Sequence, residues 1–259
     1  MPGVITKLPG VNFTDTTIPK LYRDAVITTG TRQVVDSLDP FSYAKQAAAT
    51  TADVWKDLTP NANNAAFNTS FTFTNGGFEV VNGGNSINLG TSTKRAAGDA
   101  GFVQILWLKH IAVNSTLAYG WVAGCADNNN ALLQWLIDTG PTNSGQYRLQ
   151  TGASTWAVTP AVGAVFQCAL AAKKLNGVIE YYLYVNGVET SRAVSADTAI
   201  RVPTTQTASQ VGGSWGPFGA GANFRVFRSV HDDTSSLATE AAITAFVAAD
   251  YTANTGRFT

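Results

Sequence analysis

Charge is scarce in this chain. Asp, Glu, Lys and Arg make up 13% of its 259 residues, and 17 basic residues balance 17 acidic ones. A typical globular protein carries about 25% of such residues. A neutral, charge-poor chain offers no electrostatic footprint to a phosphate backbone, so nucleic acid is excluded as a partner. Cysteine is nearly absent as well. Cys125 and Cys168 both fall in apolar, strand-like runs, where a free thiol behaves as a small buried hydrophobe. They form no disulfide framework, and whether they pair is left open. The two histidines, His110 and His231, stand apart. They fit neither the ligand spacing of a zinc site nor a nucleophile triad. No apolar run approaches the length of a membrane span, and no basic-then-apolar leader opens the chain. The expectation is a soluble protein without an amino-terminal export signal and without a membrane partner. Solubility then rests on uncharged polar side chains or on assembly.

What the chain does have is strand periodicity. In Val178–Val185, Ile179, Tyr181, Leu183 and Val185 share one face, and Glu180, Tyr182 and Tyr184 share the other. This two-residue period predicts a strand with one face buried. Asn186-Gly187 follows, the preferred pair for the two positive-φ positions of a type I′ turn, and Val188 restarts a strand. The same texture extends from Trp55 almost to the end. Short alternating runs at Phe71–Thr74, Phe78–Val81 and Ser86–Leu89 are separated by Asn-Gly-Gly turns. Phe102–Lys109 is nearly all apolar, as expected for a central strand. Many short strands with Gly/Asn turns predict an all-β protein, a two-sheet antiparallel jelly-roll sandwich.

Two flanking pieces differ. Residues 1–35 are punctuated by Pro2, Pro9 and Pro19 yet carry Val4, Ile5, Leu8, Val11, Phe13, Ile18, Leu21 and Tyr22. They read either as an extended N-terminal arm laid on a neighbour or as a strand and loop of the same domain. Asp39-Pro40 has the form of an N-cap and first-turn proline, which predicts a short helix over Phe41–Ala49. The domain division is therefore an arm with a short helix over residues 1–51 and a sandwich over 52–259. At the other end, Ile243, Phe246, Val247 and Tyr251 recur at helical spacing. They predict a C-terminal helix over Leu237–Asp250, packed on an edge or outer face of the sandwich.

Several of these segments resemble the concanavalin A-like lectin/glucanase superfamily, in its laminin-G-like branch of jelly rolls. Trp55-Lys56-Asp57-Leu58-Thr59 with Asn61–Asn64 is similar to that branch's opening stretch. Phe102–Lys109 resembles its aromatic-then-basic strand, and Tyr182–Val188 its most recognisable hairpin. Phe224–Arg228, followed by Leu237 and Glu240, resembles its last strand and trailing helix. The chain departs from the pattern at Gly163-Ala164-Val165-Phe166, where the family often has a Gly-x-Trp-Tyr/His-like start. One such domain with a proline-punctuated arm and low charge also resembles phage virion components.

The resemblance implies where sites would fall. Glycosidases of this fold carry their two carboxyls as Glu-x-Asp-x-x-Glu or Glu-x-Asp-x-Glu. None of Glu79, Glu180, Glu189 and Glu240 begins such a motif, so no catalytic residue is expected and the chain is read as not an enzyme. Laminin-G-like domains often bind calcium at a loop rim. Asp127, Asn128 and Asn130 could supply oxygens there, although one carboxylate is a weak start. No other cofactor is expected. Trp215 and Phe218, in the glycine-rich stretch 211–221, and Trp156 could act as stacking platforms for a sugar or as packing plugs. The leading expectation is a non-enzymatic structural protein of a phage virion, in the tail, baseplate or shell. It would lie with other virion proteins, self-associate through residues 1–35, and touch host-surface glycans. The alternatives are a carbohydrate-binding adhesion module and a glycan hydrolase of the same fold.

Overall fold

The computed structural model describes residues 24–81, 84–93, 99–113, 119–124, 134–138, 147–150, 155–195, 197–200, 209–213 and 222–259. The strands are β1 (Thr31–Asp36), β2 (Val54–Trp55), β3 (Ala65–Phe67), β4 (Thr72–Thr74), β5 (Gly77–Val80), β6 (Ser86–Asn88), β7 (Gly101–Val113) and β8 (Tyr119–Gly124). They continue with β9 (Gln134–Asp138), β10 (Tyr147–Gln150), β11 (Thr155–Val158), β12 (Val165–Leu175), β13 (Val178–Val185), β14 (Val188–Ser195), β15 (Gln210–Gly212) and β16 (Ala222–Asp232). One helix, α1 (Glu240–Asn254), follows.

Two antiparallel eight-stranded sheets form the sandwich. The first runs β14-β13-β12-β7-β16-β5-β4, with β1 also on β16. The second runs β11-β10-β9-β8-β15-β6-β3-β2. The expected all-β two-sheet architecture and C-terminal helix are both present. Long β7 is central, as its continuous apolar run predicts. Three two-residue Asn-Gly turns close hairpins. Asn75-Gly76, Asn176-Gly177 and Asn186-Gly187 all have positive φ at both positions, as a type I′ turn requires. The middle one, joining β12 to β13, is a pair the sequence reading passed over.

The core has two layers, and this corrects the one-face expectation for β13. Ile179, Tyr181 and Leu183 point between the sheets, beside Trp55, Phe78, Leu106 and Leu170. Tyr182 and Tyr184 point the other way, yet are equally buried, because α1 covers that face together with Val103, Ile105 and Trp107. Each such buried side chain contributes about 1.5–3 kcal/mol. The helix starts at Thr239, whose side chain accepts from the Ala242 amide at 3.2 Å, and it presents Ile243, Phe246 and Val247 to the sheet. Tyr251 stacks on Trp107 with ring centroids 5.7 Å apart.

A buried ionic cluster fastens this second layer. Arg228 is fully buried and reaches three carboxylates: Asp250 at 2.9 Å, Asp24 at 2.7 Å and Asp36 at 3.2 Å. Asp250 Oδ2 also accepts from Trp107 Nε1 at 2.8 Å and Gln167 Nε2 at 2.9 Å. Burial pulls the Asp24 carboxyl upward, but the Arg228 charge and hydrogen bond outweigh it and hold the group below its usual value.

Part of the stretch read as an arm is built into the sandwich. Within the stretch read as an arm, β1 pairs along β16, Val34 and Val35 are fully buried, and Asp24 belongs to the Arg228 cluster. The Trp-x-Asp stretch holds β1 in place. Asp57 accepts from the amides of Val34, Thr59 and Asn63, each at 2.9 Å, and Asn63 Nδ2 donates to the Arg32 carbonyl at 2.7 Å. Residues 1–23 lie outside the described residues. The helix expected over Phe41–Ala49 is also corrected. The Asp39 cap bonds the Phe41 amide at 2.7 Å and one turn closes at Tyr43, but Gln46 takes a positive φ and ends it. Tyr43 is drawn into the inter-sheet core among Phe67, Phe73 and Phe78, and this tertiary packing overrides a helix's further turns.

Candidate functional site

A groove of about 540 Å³ is lined by the last residue of β11, the edge strand of the second sheet, and by residues of β14, the edge strand of the first. Val158, Ala164, Val165, Phe166 and Val185 form its apolar part; Val158 and Phe166 belong to the inter-sheet core and Val165 to the helix-side layer. Thr159 and Pro160 stand on one side, Thr190 and Ser191 on the other, and Asn186 at the β13–β14 turn.

Each wall has a local cause. Pro160 lacks an amide donor and ends the β11 ladder. The loop that follows turns at Gly163, with φ +83°, and is pinned to β7: the Gly163 amide donates to the His110 carbonyl at 2.8 Å and the His110 amide to the Ala164 carbonyl at 3.1 Å. Asn186 is fixed by Gln167. The Gln167 amide donates to Asn186 Oδ1 at 2.9 Å, and the Gly187 amide donates to Gln167 Oε1 at 2.8 Å. Thr190 is the extra residue of a β-bulge, since Tyr184 faces Glu189 while Leu183 faces Ser191. A bulge on an edge strand re-aims a side chain and discourages further strand pairing. It also places Glu189 and Arg192 on the helix side, where they pair at 3.0 Å, and Arg192 also pairs with Glu240.

Among its described residues the groove lining contains no Asp, Glu, Lys, Arg, His or Cys. Its polar side chains are Thr159, Thr190, Ser191 and Asn186; the Thr190 hydroxyl donates to the Leu183 carbonyl at 3.3 Å and Asn186 Oδ1 accepts from Gln167, which leaves Thr190 to accept and the Asn186 NH2 to donate. A concave site of this volume, apolar at its base and carrying a few neutral polar groups, is built for an uncharged polar ligand with apolar faces. A charged cavity elsewhere among the described residues differs. Arg32, Asp99 and Asp233 surround about 20 Å³, room for about one water. Arg32 is engaged there by Asp99 at 2.9 Å and Asp233 at 3.4 Å, so this cluster ties β1 to its neighbours. Glu180 accepts from the Tyr182 hydroxyl at 2.8 Å. Burial, then Glu180 itself, pushes that hydroxyl far above its usual value.

No protein-family model matches the chain, and no curated protein does. Solved structures do. The chain is similar to Trypanosoma rangeli sialidase in complex with 2,3-difluorosialic acid as a covalent intermediate, with 15% identity and a TM-score of 0.59 over 90% of this chain and 35% of that one. It is similar to the binding domain of botulinum neurotoxin DC in complex with SialylT, with 9% identity and a TM-score of 0.54 over 87% and 52%. It is also similar to the receptor binding domain of botulinum neurotoxin mosaic serotype C/D, with 12% identity and a TM-score of 0.52 over 86% and 51%. The chain spans about a third of the sialidase and about half of each binding domain. These likenesses establish the fold as a β-sandwich shared with sugar-acting and sugar-binding proteins.

The sialidase match corrects the reading of the chain as not an enzyme. That reading rested on a missing Glu-x-Asp pair, yet the fold of this chain recurs in a protein captured as a covalent intermediate with a sugar. Sialidases attack with a tyrosine rather than a second carboxylate, so the missing pair excludes nothing. The expected virion role draws no support from these structures.

Of the residues singled out from sequence, Trp215 and Phe218 and the calcium candidates Asp127, Asn128 and Asn130 lie outside the described residues. Gly124 and Gln134 pair beside the calcium stretch, and Gly212 pairs with Ser86 beside the aromatic one. The backbone of Trp156 lies in β11 opposite Leu149; its side chain is outside the described part. Among the described residues no three His, Cys, Asp or Glu side chains gather as a metal cluster, and no helix is long and apolar enough to cross a membrane. Cys168 is a free, buried cysteine whose thiol burial pushes well upward. The groove residues were not anticipated. Asn186 was legible as a turn, but nothing in the sequence brings 158–166 against 185–191 until β12, β13 and β14 pair in succession.

Proposed function

We propose that this chain is a carbohydrate-binding sandwich that takes a glycan in the groove between β11 and β14. The observation that carries the reading is the groove itself: about 540 Å³, with an apolar base and only hydroxyl and amide groups for polar contact. Sugars present that combination, with hydroxyls around the ring edge and C–H groups on its faces. The neighbours support it in kind, since a neurotoxin binding domain is in complex with SialylT and a sialidase with a sialic acid derivative.

A glycan array followed by titration calorimetry tests it. Ser191→Phe, which fills the groove, is expected to weaken binding of an array hit by at least about tenfold, or ~1.4 kcal/mol, with an unchanged melting temperature. Binding that survives this substitution but is lost in Trp215→Ala would move the site to the aromatic stretch. Release of reducing sugar from the bound glycan would make the chain a hydrolase of the same fold.

A further inference from the structure

We infer that the groove selects uncharged glycans and discriminates against sugars that carry a carboxylate. This deepens, and rests on, the glycan-binding reading above.

A carboxylate entering a protein site gives up strongly held water. It is compensated only when charged or multiple donors replace that water. Among its described residues the groove lining offers neither a guanidinium nor an ammonium group. The Thr190 bulge is the reason on one wall. With a regular register, Arg192 would not share a face with Glu189. With the bulge, both sit on the helix side, where Arg192 is held by Glu189 and Glu240 and lies 4.8 Å from the Tyr182 ring centroid. The wall facing the groove keeps Thr190 and Ser191. On β7, Lys109 is in register with Val165, which lines the groove, but Lys109 is not itself among the described lining residues. Hydroxyls and one amide therefore supply the polar contacts, and these match neutral sugar hydroxyls as both donors and acceptors.

The test is an array in which each neutral glycan is printed beside its sialylated and uronate forms, with Kd then measured for the bound pairs. The neutral member is expected to bind at least about tenfold tighter. Its Kd is expected to stay constant when salt is raised, because no ion pair is there to be screened. Thr190→Lys places an ammonium at the wall of the groove and is expected to narrow or invert the preference, with circular dichroism confirming the fold. A charged member that binds as tightly as its neutral partner would overturn the inference and leave the glycan reading standing. So would affinity for the charged member that Lys109→Ala abolishes. Failure of every glycan on the array to bind would bring down the glycan reading, and this inference with it.

Discussion

At Gly187 two demands meet. The residue holds φ +78° in the β13–β14 turn, and a Cβ built on it would come within 2.9 Å of the Tyr251 Cβ on α1. The Asn-Gly pair predicts the first demand; the second arises because the helix crosses the end of the hairpin. Gly187→Val is therefore expected to destabilise the protein by more than a turn substitution alone, about 2–4 kcal/mol, from backbone strain plus overpacking. Chemical denaturation checks it. Gly177 is the control. It has the same positive φ, +85°, but nothing lies within 4 Å of its would-be Cβ. Gly177→Ala is expected to cost only about 1 kcal/mol, the backbone part. Equal losses at the two sites would mean that Tyr251 moves freely aside.

At the scale of elements, α1 is held to the first sheet by packing and by the Arg228 cluster. Asp250→Ala removes the acceptor for Trp107 and Gln167 and one of the three carboxylates around a fully buried guanidinium. Breaking a buried pair on one side costs about 3–5 kcal/mol. The expected result is a large fall in melting temperature together with a change in fluorescence from Trp107, which stacks on Tyr251. The cluster also sets an acid limit. The Asp24 carboxyl is held below its usual value by Arg228. A carboxyl whose folded pKa is depressed contributes stability that is present above its unfolded value and lost as pH falls through the folded one. The stability owed to Asp24 is thus expected to be complete above about pH 4 and to disappear below it. An acid titration of Asp24→Asn should start from lower stability at neutral pH and show a shallower loss below that point. An unchanged slope would remove Asp24 from the acid transition.

For the molecule as a whole, the chain division matters most. Deleting residues 2–35 removes Val34 and Val35 from the two core layers, most of β1 from the edge of β16, and Asp24 from Arg228. That truncation is expected to unfold, by circular dichroism and calorimetry, whereas one that stops before Asp24 keeps β1 and the cluster intact and is expected to melt cooperatively. Local rules made much of this architecture legible beforehand. Period-two alternation, the Asn-Gly pairs and the helical spacing of Ile243, Phe246 and Val247 depend on neighbours in sequence, so the sequence by itself determined most of the strands, though not β1, β2, β3 or β11, two of the three described Asn-Gly turns, the terminal helix and the all-β class. The rest was decided at long range. Whether the outer face of β13 is wet or dry depends on α1, some 60 residues away in sequence. Whether Asp39-Pro40 starts a helix or a single turn depends on the pocket among Phe67, Phe73 and Phe78 that draws in Tyr43. The groove needs residues of β11, β12 and β14 brought to one wall and a bulge at Thr190 that sets Glu189 and Arg192 on the other face, and its polar residues are ordinary threonines, serine and asparagine that carry no signal singly. Periodicity tells which way a side chain points; only the packed sheets decide what it meets there.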